Sequence, residues 1–310
     1  MNQGEMQEMQ LIAAQRMRRM SGAPATEQQR ADVVGFLRAC WVAGWLAYRN
    51  LRYYPSNLLL AGAQELTTVG VWYFVGRFLD ASASKAVGQY GGNYLAYVVV
   101  GVLLNQVCLS ALNGPFTTIS EAFWDKRLET YRLSIHGIWA NLLGRLGWDV
   151  LFSATLQCVA LALILAFGGV SVHAGVNAPL VIVAALLLVI ANAGLGVAGA
   201  SLFFLLEVKS GQDPITWAYR YLVMLASGLY VPLAVLPGWL RWLSGVLPQT
   251  YGLAAVRLLV LTGADGRSAA LWGNLLPLGG AALLCVVCGY ALLVLALRRA
   301  ERGGGIGVVV

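Results

Sequence analysis

Gln64, Glu65, Thr67 and Thr68 place four polar side chains, one of them a carboxylate, inside an otherwise apolar run near residues 57 to 78. An ionisable group at membrane depth is costly, so it is expected to face a bundle interior or water. Two kinds of work fit it. Gln64, Glu65 and Thr68 line a route for a solute, or the carboxylate accepts hydrogen bonds from a neighbouring helix. The residues leave both readings open. Asn105, Gln157 and Asn192 lie in other apolar runs and are expected to bond between helices. Asp149 and Glu207 fall near the ends of such runs on the cytoplasmic side, where solvation is the expectation.

Metal, nucleophile and nucleotide chemistry lack residues at workable spacing. His136 and His173 are the only two histidines, in loops assigned to opposite sides of a membrane. No H-E-x-x-H, G-x-S-x-G or paired-aspartate diphosphate motif occurs. Cys285 and Cys288 form a C-x-x-C in the last apolar run, with no histidine or second pair to complete a metal site. Gly194-Leu195-Gly196-Val197-Ala198-Gly199 matches G-x-G-x-x-G, but no strand precedes it, so these residues read as small contacts for close helix packing. A Walker A sequence is absent from all 310 positions. The chain is expected to be no enzyme, to hydrolyse no ATP by itself and to bind no cofactor or metal.

Two further elements carry pattern. Residues 119–136 hold Glu121, Asp125, Lys126, Arg127, Glu129 and Arg132 around an apolar stripe of Trp124, Leu128, Tyr131 and Ile135. That spacing predicts a charged surface helix leading into the next span, either solvated or docked to a cytoplasmic subunit. The second element is proline-broken. Pro232 and Pro237 end an apolar run, and Pro248 then divides residues 237–262 into pieces of roughly 10 to 13 residues, or ~15 to 20 Å, short of a hydrocarbon core of about 30 Å. Such pieces dip in and return, and broken backbone at that depth survives only when buried in protein or lining a cavity. Trp239 and Trp242 suit an aromatic belt, and Arg241 and Arg257 are expected to snorkel to the outer surface.

Composition positions these elements in lipid. Of the residues, 59% are hydrophobic and 11% charged, against about 25% charged in a soluble domain. The net charge of +7 comes from basic residues dispersed between apolar runs, which excludes a nucleic-acid groove binder. Five cysteines at no framework spacing exclude a disulfide scaffold. The first thirty residues have no apolar core and are not a signal peptide. The fold class expected is an all-α membrane protein. A tail over 1–31 precedes an amphipathic interface helix over 32–54, whose Phe36, Leu37, Cys40, Trp41, Gly44, Tyr48 and Leu51 share a face away from Arg38, Arg49 and Arg52. A membrane domain over 55–300 follows, with spans near 57–78, 93–114, 147–168, 178–204, 215–236 and 271–297, and a tail over 301–310. Sixteen of the 21 basic residues fall on the side shared by the two termini, which is therefore expected to be cytoplasmic.

This order of elements resembles the permease subunits of ABC-2 type transporters. The likeness covers residues 32 to 300 and is sharpest over 211 to 262, at Ser227-Gly228, Pro232, Leu236-Pro237, Leu247-Pro248, Thr250-Tyr251 and Arg257. Glu121, Leu128, Glu129 and Leu143-Gly144 are similar to the family's helix between the second and third spans. The resemblance implies a channel formed with a second permease chain, alike or different, in a prokaryotic inner membrane. Two separately encoded ATP-binding subunits would hold the ATP and Mg and dock against Glu121, Asp125, Lys126, Arg127, Glu129 and Arg132. Pro232, Pro237, Pro248, Tyr251 and Arg257 would shape the re-entrant hairpin. It implies export of an amphipathic, drug or lipid-like cargo, with polysaccharide or glycolipid as the alternative. Trp72, Tyr73, Phe74, Tyr94 and Tyr97 keep the glycan reading open. A different class, an ATP-independent channel or scaffold, uses the same spans.

Overall fold

The computed structural model describes residues 25–53, 55–90, 93–127, 137–167, 177–205 and 213–302. Its elements are all helical, with no strand among the described residues. The helices are α1 (Ala25–Tyr53), α2 (Pro55–Ala83), α3 (Tyr94–Trp124), α4 (Gly137–Phe167), α5 (Ala178–Leu205), α6 (Pro214–Ala226), α7 (Gly238–Ser244), α8 (Pro248–Leu261) and α9 (Ala269–Arg302). Short 3-10 turns run from Ser84 to Tyr90 and from Leu233 to Val235.

Five of these helices, α2, α3, α4, α5 and α9, are long and apolar enough to cross a membrane, and the bent pair α7–α8 raises the number to six if it counts as one span. This is the composition of a multi-pass membrane protein. The expected span at 215–236 is not a continuous helix. It is α6, 13 residues and about 20 Å long, which stops at Ala226. Its start is fixed by Asp213, whose side chain accepts the Thr216 N–H at 2.8 Å, with Pro214 in the first turn. At its end the chain turns through Gly228 at φ +77°, a conformation open to a residue without Cβ.

The centre of the bundle is α3, which packs against α2, α4, α5 and α8. Its most apolar stretch is 72% buried, whereas that of α2 is only 6% buried. Thus α2 stands at the periphery, with Leu59, Leu60, Phe74 and Phe78 turned outward. The tightest pair is α5 with α9, and the glycines explain it. A Cβ on Gly194 would lie 2.6 Å from the Cys285 carbonyl carbon, and a Cβ on Gly289 would overlap the Gly194 carbonyl. Gly196 abuts the Leu112 carbonyl of α3, and Gly199 abuts Asp213. All three glycines of the G-x-G-x-x-G run are therefore contact points between helices, as their setting predicted.

Of the helix expected over 119–136, the structure describes residues 119–127, and these are not one continuous helix. Residues 119–124 are the last turns of α3, and the helix ends at Trp124. Lys126 takes φ 58°, its N–H bonds the Phe123 carbonyl at 3.0 Å, and the Arg127 N–H reaches back to Ala122 at 2.9 Å. That pair of bonds around a left-handed residue terminates a helix. Glu129 and Arg132 lie outside the described residues, as do His136, His173, Glu207 and the greater part of both tails.

The N-terminal helix α1 is continuous from Ala25 to Tyr53, longer at its start than the 32–54 expected. It lies along α4, where Gly44 and Gly144 let the two backbones approach. The proline-divided segment forms α7 and α8, joined at an 84° bend, with Pro237 capping α7 and Pro248 opening α8. Tyr251 Oη donates to the Gly245 carbonyl at 2.8 Å and braces that bend. Trp239 and Trp242 project from α7, 69% and 75% exposed.

Candidate functional site

Four helices and the broken segment enclose a cavity of about 590 Å³. Gln64, Glu65, Thr68 and Trp72 come from α2, a ladder from Asn105 to Thr117 comes from α3, Asp149 and Phe152 from α4, and Arg220 and Met224 from α6, with Tyr230 beyond it. The three residues predicted to line a route therefore share one wall. Helix periodicity places them there, since positions 64, 65, 68 and 72 recur on one face of α2.

Glu65 makes the interhelical hydrogen bonds of one reading and stands on the cavity wall. Its Oε2 accepts from Gln106 Nε2 at 3.0 Å and from Gln157 Nε2 at 2.9 Å, binding α2 to α3 and α4, while the residue also lines the cavity. Asp149, expected in solvent, is half-buried on the same cavity wall. It is positioned one turn beyond Arg145, which pairs with Glu121 at 2.5 Å across the α3–α4 contact. Arg220 contributes a guanidinium to the same cavity from α6.

A second polar chain leads from the cavity into the bundle. Asn105 lines the cavity and its Oδ1 accepts from Gln249 Nε2 at 3.1 Å; Gln249 Oε1 in turn accepts from Asn192 Nδ2 at 3.1 Å. All three are buried, and they join α3, α8 and α5. Asn105, Gln157 and Asn192 thus make the interhelical bonds their types predicted. Gln249 is a partner the sequence reading missed, although an amide one residue after Pro248 was the available signal.

The broken segment after α6 is held by side chains. Arg257 of α8, expected at the outer surface, is 2% exposed and points inward. Its Nη1 donates to the Gly228 carbonyl at 2.9 Å, Nη2 to Leu229 at 2.8 Å and Nε to Tyr97 at 3.1 Å. Tyr97 Oη also donates to Gly228 at 2.6 Å, Tyr94 Oη donates to Tyr230 at 3.0 Å, and Ser244 Oγ donates to Ala226. The carbonyls of Ala226, Gly228, Leu229 and Tyr230, freed where the helix stops, are all accepted into hydrogen bonds. This is the physical reason for the correction. Carbonyl groups at membrane depth need donors and a guanidinium needs acceptors, so each satisfies the other. Gly101 leaves the room, since a Cβ there would collide with the Arg257 guanidinium. Pro232 begins the 3-10 turn that follows, and Trp72 stacks on Tyr230 at 3.8 Å between ring centres, joining α2 to this segment at the cavity edge. Tyr94, Tyr97 and Ser244 were not singled out for this role; an arginine in an apolar run with tyrosines three apart on another was the signal.

The charged residues after α3 are brought together only in part. Glu121 pairs with Arg145, Asp125 caps α3 and lies 3.5 Å from Arg127, and Lys126 is exposed. Among the described residues, no cluster of three or more histidine, cysteine or carboxylate groups could hold a metal ion. In comparison with known proteins, no family model matches the chain and no curated protein does.

Proposed function

We propose that the chain is the membrane-spanning permease subunit of an ATP-driven exporter that moves an amphipathic, drug or lipid-like substrate out of the cytoplasm. The observation that carries this reading is the cavity walled by Gln64, Glu65 and Thr68 within a set of membrane-length helices. Polar groups are expensive at that depth and are kept where a solute or water uses them. The wall also carries Trp72, Leu109, Phe152 and Met224, so a cargo with one polar and one apolar end is matched at both.

In this reading the bent pair α7–α8 is a re-entrant hairpin on the outer face, α6 with the Arg257-held segment makes the fifth crossing and α9 the sixth, and α1 lies in the interface. Both termini face the cytoplasm of a prokaryotic cell, in its inner membrane. ATP and Mg are bound by two copies of a separate ATPase subunit, and a second permease chain completes the channel. The ATPase subunits press on residues 119–136 and on α1. The Glu121–Arg145 ion pair ties that region to α4, whose next turn carries Asp149 on the cavity wall. A push there changes the cavity only if the contacts differ between two states, which a paired charged surface supplies.

The Trp72–Tyr230 stack on the cavity edge favours a second cargo, a polysaccharide or glycolipid, since sugar rings pack on aromatic faces. The test begins with the neighbouring genes, where an ATPase with a Walker A motif is expected, and continues with its coexpression and ATPase and flux assays in inverted vesicles. Copurification, ATP-dependent uptake of an amphipathic dye, and loss of coupling in Asp125→Ala/Glu129→Ala are the expected results. Flux that persists without ATP, or assembly with no ATPase, points instead to a channel or scaffold and overturns the proposal.

A further inference from the structure

Along the outer side of α1 an apolar groove of about 590 Å³ separates it from α4, and a second recess of about 420 Å³ adjoins the groove at the C-terminal end of α1. The two share Trp45, Tyr48 and Arg52. The groove is walled by Leu37, Trp41 and Trp148, while the recess is bordered by Arg49 and Arg52. From Leu37 to Arg52 the groove follows α1 for about 22 Å at 1.5 Å per residue, comparable to an extended fatty-acyl chain. Its outer lip is uncovered, with Trp41 73% and Leu37 60% exposed.

The recess has the opposite character. Arg49 and Arg52 are both exposed, and neither meets a carboxylate among the described residues. Arg49 donates to Tyr53 Oη at 3.2 Å and lies over the Tyr53 ring, which keeps its guanidinium at the recess. One continuous depression therefore runs from an aromatic and aliphatic trough to an unpaired pair of guanidinium groups. Guanidinium forks match phosphate oxygens.

We propose that this depression is a binding site for an anionic phospholipid, its acyl chain in the α1–α4 groove and its phosphate on Arg49 and Arg52. The ligand ties α1 to α4 through lipid as well as through the Gly44–Gly144 contact. The site is separate from the cavity at Glu65 and is independent of what cargo passes there.

The test is native mass spectrometry of the full-length protein titrated with palmitoyl-oleoyl phosphatidylglycerol or the corresponding phosphatidylcholine. Wild-type protein is expected to hold phosphatidylglycerol more tightly, by about 25-fold if each arginine contributes about fivefold. Arg49→Gln/Arg52→Gln abolishes that preference and weakens phosphatidylcholine, whose choline offsets its phosphate charge, far less than phosphatidylglycerol. Gly147→Leu, whose Cβ meets nothing within 4 Å, fills the trough and weakens both lipids, with the arginines intact. Equal retention of the two lipids by wild-type protein overturns the proposal. So does displacement of the lipid by inorganic phosphate alone, or crosslinking of Trp41-face positions to a second protein chain in place of lipid.

Discussion

The guanidinium carbon of Arg257 lies 3.5 Å above the centre of the Tyr97 ring, and both side chains donate to the same carbonyl, that of Gly228. The pair joins α3 and α8 to the point where α6 stops. A cation on an aromatic face is stabilised most where water is excluded, and Arg257 is fully buried.

Removing Arg257 is therefore expected to be severe. Arg257→Met leaves the Leu229 carbonyl without a partner and strips Gly228 of one of its two, at a cost on the order of 3 to 5 kcal/mol. Arg257→Lys keeps the charge but loses the fork and is intermediate. Tyr97→Phe keeps the ring under the cation and loses a single bond, about 1 kcal/mol. Gly101→Ala acts like the arginine variants because its methyl displaces the guanidinium. Thermal unfolding in detergent, followed by circular dichroism, ranks the four; a Tyr97→Phe as damaging as Arg257→Met would show that the phenol and not the guanidinium holds the break.

Much of the helix framework was legible from apolar runs, because five segments are long enough for hydropathy to mark them. The break after Ala226 was not. Residues 215–236 read as one span since the acceptors that release the backbone from helix geometry are answered by Tyr94, Tyr97, Ser244 and Arg257, far away in sequence. The break at the start of the charged segment 119–136 was hidden for the reverse reason, since it is a local event: Lys126 in the left-handed region ends α3 at Trp124, and Leu128 and the rest of the stripe lie outside the described residues. Of the two readings of Glu65, the interhelical hydrogen bonds are made, both through Oε2, and the residue also borders the cavity.

Glycine substitutions separate packing from propensity. Gly194→Ala and Gly289→Ala place a methyl into the α5–α9 contact, where backbone atoms block it, and are expected to destabilise by about 1 to 3 kcal/mol. Gly279→Ala and Gly280→Ala, in the same helix α9 but with nothing within 4 Å of a new Cβ, are expected to be neutral or to stabilise by up to ~1 kcal/mol. Midpoints of thermal unfolding check the contrast. Equal effects at all four positions would mean that α5 and α9 are not in the close contact described.

Glu65→Gln removes one of the cavity's two carboxylates, leaving Asp149, and keeps its shape. The amide oxygen still accepts from a glutamine neighbour, so folding yield and detergent-extracted yield are expected to stay within twofold of wild type. Flux of a cationic amphipathic dye is expected to fall at least tenfold, a barrier change of about 1.4 kcal/mol, with a neutral analogue affected less. Parallel uptake assays on the two dyes measure it. An equal fall for both would make Glu65 a structural tie between α2, α3 and α4 and nothing more.

Lys126 offers a test whose sign differs between two structures of the same segment. If a helix ran on through 119–136, Lys126→Ala would be neutral or better and Lys126→Gly would cost about 1 kcal/mol. Because Lys126 ends α3 at φ 58°, a conformation unfavourable to any residue with a Cβ, the order is expected to reverse: Lys126→Gly stabilises by roughly 0.5 to 1 kcal/mol, and Lys126→Val destabilises. The same variants separate backbone from charge at the face proposed to dock an ATPase subunit. Lys126→Gly and Lys126→Val both remove the ammonium, so a loss of ATPase stimulation common to them, against opposite shifts in thermal midpoint, assigns the coupling role to the charge. Stimulation that follows stability instead, rising in the glycine variant and falling in the valine one, assigns it to the turn that ends α3.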